Sequence, residues 1–249
     1  MPRYFLELSY KGTNYSGFQI QFNSVTVQGE VEKAMAVYFR KEINLTGSSR
    51  TDAGVHAIRN YFHFDLDQPI REQFLYNINS ILPADIAIKK VISVRQDAHC
   101  RFDAVSREYN YYIYSQKNPF LSDRAWFYPY PLETDNLEAA AQIIREYSDF
   151  TSFSKRKTQV KTFKCSILES EWETNKDGLV YNIRANRFLR GMVRGLVGTM
   201  LLVGREKISL SEFRTVIESK NSFLADFTTP AHGLFLEGVE FPEGYFRTK

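Results

Sequence analysis

The tetrapeptide Asn175-Lys176-Asp177-Gly178 lies between two apolar runs, Phe163 to Trp172 and Leu179 to Ala185. Asp-Gly between such runs favours a tight reversal, because both residues accept the positive φ of a short hairpin. A hairpin joins its strands antiparallel, whereas a parallel step needs a crossover of roughly a dozen residues or more. Other runs with strand-like alternation are Arg3 to Tyr10, Ile58 to Leu66, Ile86 to Val94, Glu108 to Tyr114 and Leu234 to Phe241. Helical spacing fills the gaps. One stretch covers Thr26 to Arg40, and another opens at Asp67 and Pro69 and runs toward Asn79 to Pro83. A third is capped by Asp135, a fourth follows Asn186 through Leu201, and a last one opens on a Ser209/Glu212 capping box. The pattern predicts an α+β fold, a mostly antiparallel mixed sheet with flanking helices. The Pro-punctuated stretch FYPYPLETD at 127 to 135 is the expected boundary between two α/β halves, 1–130 and 131–249. No internal sequence repeat is visible.

The 249 residues are 43% hydrophobic and 24% charged, a balance that supports a core of ordinary size. Net charge is only +3, so any nucleic-acid partner has to be met by locally concentrated cations. Cys100 and Cys165 form no disulfide framework, and His56, His63, His99 and His232 lack the spacing of a metal site. The N-terminal MPRYFLELSY enters a strand pattern without a signal-peptide core. The most apolar run, Leu196 to Gly204, is too short to span a bilayer. A cytoplasmic location is expected.

Several segments carry chemistry. GSSRTDAGVHA at 47 to 57 sets Arg50, Thr51 and Asp52 ahead of Ala53-Gly54. Those residues suit a turn first, and as the second reading a loop that holds a carboxylate beside an arginine. In the helix expected after Asn186, Arg187, Arg190 and Arg194 share a face with Gly191 and Gly198. Each glycine costs a helix roughly 1 kcal/mol relative to alanine, so the pattern points either to close approach by a backbone or a ligand or to tight helix–sheet packing with the arginines reaching out to solvent. In SREYNYYIYS, Tyr109, Tyr111 and Ile113 fall on one side of a strand and Tyr112 and Tyr114 on the other. The segment from 152 to 164 interleaves Lys155, Arg156, Lys157, Lys161 and Lys164 with Phe153 and Phe163, a composition suited to a phosphate backbone or to a solvated loop.

The stretch SSRTDAGVHA closely resembles the active-site motif of the tRNA pseudouridine synthase A (TruA) family. YKGTNYSGFQIQ (10–21), NSILPADI (79–86), HCRFDAVSREYNYYI (99–113), SDFTSF (148–153), FLRGMVRGLVGTMLLVG (188–204) and PAHGLFLEGVEF (230–241) follow in the family's order. The resemblance covers essentially the whole chain. It implies the pseudouridine synthase fold, two similar halves forming a central RNA-binding cleft. It also implies a homodimeric isomerase, without cofactor or metal, that converts uridine to pseudouridine at positions 38, 39 and 40 of the tRNA anticodon stem-loop.

Residue by residue, Asp52 matches the family's essential aspartate, Arg194 the arginine that pairs with it, and Tyr109 the tyrosine near the uracil. Arg50 would position the loop or contact the nucleotide. Arg101, Arg107 and the 155–164 segment would hold the RNA backbone. The assignment is chemically coherent, since a carboxylate enclosed with a base tends to take up a proton and a nearby cation opposes this. Lys11, Phe18, Ala98, Ser48 and Ser49 depart from the common pattern, and none of them is a catalytic candidate. Two other readings are an RNA-binding or chaperone protein on the same scaffold and a nucleoside glycosidase. The first has no need of Asp52, Tyr109 and Arg194 together. The second usually needs two cooperating carboxylates, and Asp52 has no acidic partner at a motif position.

Overall fold

The computed structural model describes residues 1–156 and 160–246. In chain order the strands are β1 (Arg3–Tyr10), β2 (Thr46–Gly47), β3 (His56–Asp65), β4 (Ile86–Val94), β5 (Ser106–Tyr114), β6 (Trp126–Phe127), β7 (Ile167–Thr174), β8 (Leu179–Ala185) and β9 (Leu234–Glu240). The α-helices are α1 (Val27–Phe39), α2 (Phe74–Ile81), α3 (Thr134–Ile144), α4 (Met192–Gly204) and α5 (Leu210–Glu218). The pairs β1–β3, β1–β4, β2–β3, β5–β8 and β7–β8 are antiparallel, and β5–β6 is parallel. This is the mixed, mostly antiparallel α+β arrangement that the hairpin signal implied.

The elements group into two units, Met1–Val105 with the C-terminal segment from Leu236 onward, and Ser106–Phe235. The expected halves, 1–130 and 131–249, cut the chain elsewhere, for two physical reasons. β5 is paired along β8 from Arg107↔Ala185 to Ile113↔Leu179, which commits it to the second unit. The chain end returns to the first unit, where the Phe241 ring lies 5.6 Å from Phe5 and 5.2 Å from Tyr61.

In the first unit β1 runs between β3 and β4, with Leu6 opposite Phe62 on one side and Val91 on the other. Alternation predicts a half-buried β3, yet Asn60 to Phe64 are buried without interruption. The strand is covered on both faces. Phe62 stacks on Phe18 at 4.6 Å on one of them. On the other, Tyr61 and Phe5 lie under Phe241 and Phe246. Glu7 is tolerated in that layer because the Tyr61 hydroxyl donates to its carboxylate at 2.8 Å. α1 starts at Thr26, whose hydroxyl accepts from the Gly29 N–H. α2 starts at Phe74 rather than near Asp67, which instead pairs with Lys41 at 2.7 Å.

In the second unit β8 lies between β5 and β7. The expected reversal is a hairpin in which the Asn175 N–H donates to the Gly178 carbonyl at 2.9 Å. β7 begins at Ile167 rather than Phe163, because the Phe163 carbonyl accepts from Phe150 outside the sheet. Glu133, not Asp135, is the N-cap residue of α3, and Asp135 lies in the first turn, where its charge suits the positive helix end. The Ser209/Glu212 capping box of α5 forms as expected. α4 is the most enclosed helix, with Met192, Val193 and nearly every later residue buried. Cys100 and Cys165 are buried free thiols. Among the described residues, no helix is long and apolar enough to cross a membrane.

Candidate active site

In the first unit, the loop before β3 is held by side chains that the sheet itself supplies. The Ser48 N–H donates to the Tyr61 carbonyl at 2.8 Å, and Asn60 Nδ2 donates to the Ser49 carbonyl at 2.8 Å. The hydroxyls of Tyr10 and Thr51 share a hydrogen bond at 2.8 Å, and Asn60 Nδ2 also reaches Tyr10 at 3.3 Å. Ser48, Ser49 and Thr51 are therefore buried polar residues with partners, which locks the loop rather than leaving it loose. The Val55 N–H closes a turn on the Asp52 carbonyl at 3.2 Å.

With Thr51 turned inward, Arg50 is exposed and Asp52 is half-buried. The residue order Arg-Thr-Asp thus gives an exposed cation, a buried hydroxyl anchor and a half-buried carboxylate. A second segment braces the loop. The Phe18 N–H donates to the Thr51 carbonyl at 3.1 Å, and the Gly54 N–H donates to the Tyr15 carbonyl at 3.4 Å. Gly12 comes so close that an added Cβ would stand 2.0 Å from the Val55 carbonyl oxygen. Its N–H donates to His56 Nδ1 at 3.0 Å, so that nitrogen acts as an acceptor. Arg101, also in the first unit, is exposed and lies 5.7 Å from the Phe102 ring centroid.

In the second unit, β5 places Tyr109 opposite Ile183 and Arg107 opposite Ala185. Tyr109 is buried, edge-on to Phe188 at 5.0 Å, and shares its buried face with Tyr111 and Ile113 as the alternation predicts. Arg107 is half-buried and donates to the Asn186 carbonyl at 3.1 Å.

The helix carrying Arg194 differs from expectation. Gly191, at φ 74°, is its N-cap, and α4 begins only at Met192. Arg187 and Arg190 therefore precede the helix and do not share a face with Arg194. The Arg190 carbonyl instead accepts from the Lys155 N–H at 2.9 Å. The glycines after Arg194 do mark close approaches, by the Phe227 ring at Gly195 and by backbone at Gly198. A Cβ on Gly198 would stand 2.4 Å from the Asp226 carbonyl oxygen.

That approach brings Thr229 to Arg194. Arg194 Nε donates to the Thr229 carbonyl at 2.7 Å, and the Thr229 hydroxyl donates back to the Arg194 carbonyl at 2.9 Å. The guanidinium is aimed by this reciprocal clamp. Nearby, burial pushes the Tyr111 phenol well above its ordinary pKa, and the positive charge of Arg194 partly offsets this. The Tyr111 hydroxyl donates to the Pro230 carbonyl at 2.8 Å. Thr229 escapes sequence reasoning because it sits in an irregular stretch with no periodic signal. Asn60 escapes because its position in a strand looks merely structural.

Of the basic segment, Arg156 lies 3.9 Å over the Phe223 ring, and Lys161 and Lys164 are exposed. Lys157 lies outside the described residues. Among the described residues, no group of three or more His, Cys, Asp and Glu side chains could hold a metal ion.

Against known proteins, the tRNA pseudouridine synthase family model matches two stretches of similar length, residues 8–103 and 147–242. The repeat that self-comparison of the sequence misses is thus registered by the family pattern. A protein of Bacteroides fragilis named tRNA pseudouridine synthase A is 45% identical over 99% of both chains. The protein of that name from Azobacteroides pseudotrichonymphae is 44% identical, over 99% of this chain and 100% of its own. One from Staphylococcus aureus is 40% identical, over 97% and 92%. Matched twice by one family model and along nearly its full length by these relatives, this chain belongs to the tRNA pseudouridine synthase family, isomerases that turn uridine into pseudouridine in tRNA.

Proposed function

We propose that this isomerase acts on uridines 38, 39 and 40 of the tRNA anticodon stem-loop, with Asp52 as the catalytic carboxylate. The observation that carries the reading is the Asp52 loop, in which buried Ser48, Ser49 and Thr51 are pinned by Asn60 and Tyr10 while Asp52 stays accessible. A reacting group has to be held still by its surroundings, and a solvated turn does not need such bracing.

The reaction breaks the N1–C1′ bond, turns the uracil and joins C5 to C1′. C5 loses a proton and N1 gains one, so the isomerisation balances without an outside reagent. Asp52 attacks the sugar–base system as a nucleophile, or stabilises and deprotonates the sugar after cleavage. Both routes require it ionised. Arg194, aimed by Thr229, supplies the opposing positive charge. Tyr109 packs on the uracil and helps remove the C5 proton. The base must leave its stack for C1′ and C5 to be handled together, and a stem that ends in a loop makes this cheaper.

Arg50 positions the loop or contacts the nucleotide, and Arg101, Arg107 and the basic residues at 155–164 hold phosphates, roles suited by the exposure of Arg50, Arg101, Lys161 and Lys164. Family resemblance supports a homodimer acting in the cytoplasm. The test is to incubate purified protein with unmodified tRNA transcripts and map pseudouridine at each nucleotide. New pseudouridine at 38 to 40 is expected, and its absence from every anticodon arm overturns the assignment. Release of free uracil would indicate glycosidase chemistry instead.

A further inference from the structure

Phe22 is 92% exposed, and Ile20 and Val25 beside it are 48% and 53% exposed. Single exposed apolar residues are ordinary. This group differs in how it is held. The Ser16 N–H donates to the Val25 carbonyl at 2.8 Å and Gln21 Nε2 to the Ser16 carbonyl at 2.6 Å, which closes the loop across its base. Two more bonds, Val27 N–H to the Gly17 carbonyl and Gln28 N–H to the Phe18 carbonyl, fasten it to the start of α1. Asn23 takes the left-handed conformation at φ 53°, which reverses the chain directly after Phe22. The ring is therefore presented by a built loop.

The same loop is attached to the segment carrying Asp52. Phe18 and Tyr15 exchange backbone hydrogen bonds with Thr51 and Gly54, and a Cβ on Gly17 would be 3.6 Å from the Asp52 carbonyl carbon. Four Cα-to-Cα steps lead from Phe18 to Phe22, a span of at most about 14 Å. Exposed Arg50 lies on the braced loop and forms no ion pair among the described residues. A flat apolar ring is thus carried by a loop bonded directly to the one that carries a cation and a carboxylate. That combination suits single-stranded RNA, because bases stack on aromatic rings while phosphates seek cations.

We propose that Phe22 is a positioning residue that stacks on an unpaired base of the tRNA substrate next to the uridine being extruded. This rests on the anticodon-arm reading, in which the target borders an unpaired loop. Flipping one base leaves its neighbour without a stacking partner, and Phe22 replaces that partner.

The test compares Phe22→Ala, Phe22→Leu and Phe22→Trp with wild type on one tRNA transcript, and maps pseudouridine in parallel. Phe22→Ala should raise KM about tenfold with kcat within about twofold, as expected for the loss of one base–aromatic stack. Phe22→Trp should restore KM, and Phe22→Leu should not. In the wild-type complex, 2-aminopurine beside the target should be quenched, and Phe22→Ala should relieve part of the quenching. An unchanged KM in Phe22→Ala, full rescue by Phe22→Leu, or a change in sedimentation without a change in RNA affinity would overturn the stacking role. If pseudouridine still forms at 38 to 40 in that case, only Phe22 has been misassigned. Pseudouridine confined to other arms would remove the anticodon-arm reading and this proposal together.

Discussion

Asp52 and Arg194 are held by opposite means. The Asp52 loop is braced by side chains from strands beside it, Tyr10 of β1 and Asn60 of β3, with Phe18 and Tyr15 supporting its backbone. Arg194 is aimed by the backbone of a segment 35 residues further along, admitted only because α4 carries glycines on that side. A side-chain brace is sensitive to single atoms and leaves the fold largely untouched. A backbone brace depends on space, and losing that space disturbs the whole packing layer.

The largest effects should come from the glycines at which each brace makes its closest approach. Gly12→Ala and Gly198→Ala place a methyl 2.0 Å and 2.4 Å from backbone carbonyl oxygens, which cannot rotate away. Each should cost about 3 kcal/mol or more in urea unfolding, at the upper end of overpacking effects. A melt unchanged in either variant would show that the approach is softer than described.

Thr229→Val keeps the volume of a fully buried side chain but deletes its bond to the Arg194 carbonyl. Stability should fall by about 1–3 kcal/mol, because a buried acceptor loses a partner. Under the proposed roles, kcat should fall about tenfold with KM little changed, since 1.4 kcal/mol of lost positioning is a factor of ten. Tyr10→Phe removes the hydroxyl between Thr51 and Asn60 and should cost about 1 kcal/mol. Its activity should drop by more than its stability suggests if the brace serves Asp52. Equal losses of activity in Tyr10→Phe and in a distant variant of matched stability would remove that distinction.

The smallest effect concerns acid. His63 is buried, and its Nδ1 lies 3.2 Å from Cys100 Sγ. Burial first, then the neighbouring His99 and Arg3, lower its pKa from 6.5 to about 4. The unfolded chain therefore binds more protons between these values. Stability from neutral His63 is fully present above about pH 6.5 and is lost as the pH falls toward about 4. An NMR titration should place the His63 midpoint near 4, and a midpoint near 6.5 would mean that the ring is not enclosed as described.

How much of this could be read in the sequence depended on range. The Asn175–Gly178 hairpin and the Ser209/Glu212 box were legible because local turn and cap chemistry decides them. The Asp52 loop was legible as a turn, and its bracing was not, since Tyr10 and Asn60 are distant in sequence. The start of α4 is not legible because Phe188 and Leu189 continue its apolar stripe in a turn that only the conformation of Gly191 reveals. The burial of β3 on both faces is hidden because its covers, Phe18 on one face and the chain end on the other, are distant in sequence. The unit boundary was invisible because a strand's partner, and not its own composition, assigns it.

Release of the C5 hydrogen from tritiated uridine in tRNA, compared between wild type and Asp52→Asn, tests the central claim most directly. The account predicts a rate at least about a hundredfold lower, the least expected when a group acting directly on the reacting atoms is removed, with an unchanged melt. Release at the native rate by a folded Asp52→Asn protein would contradict it.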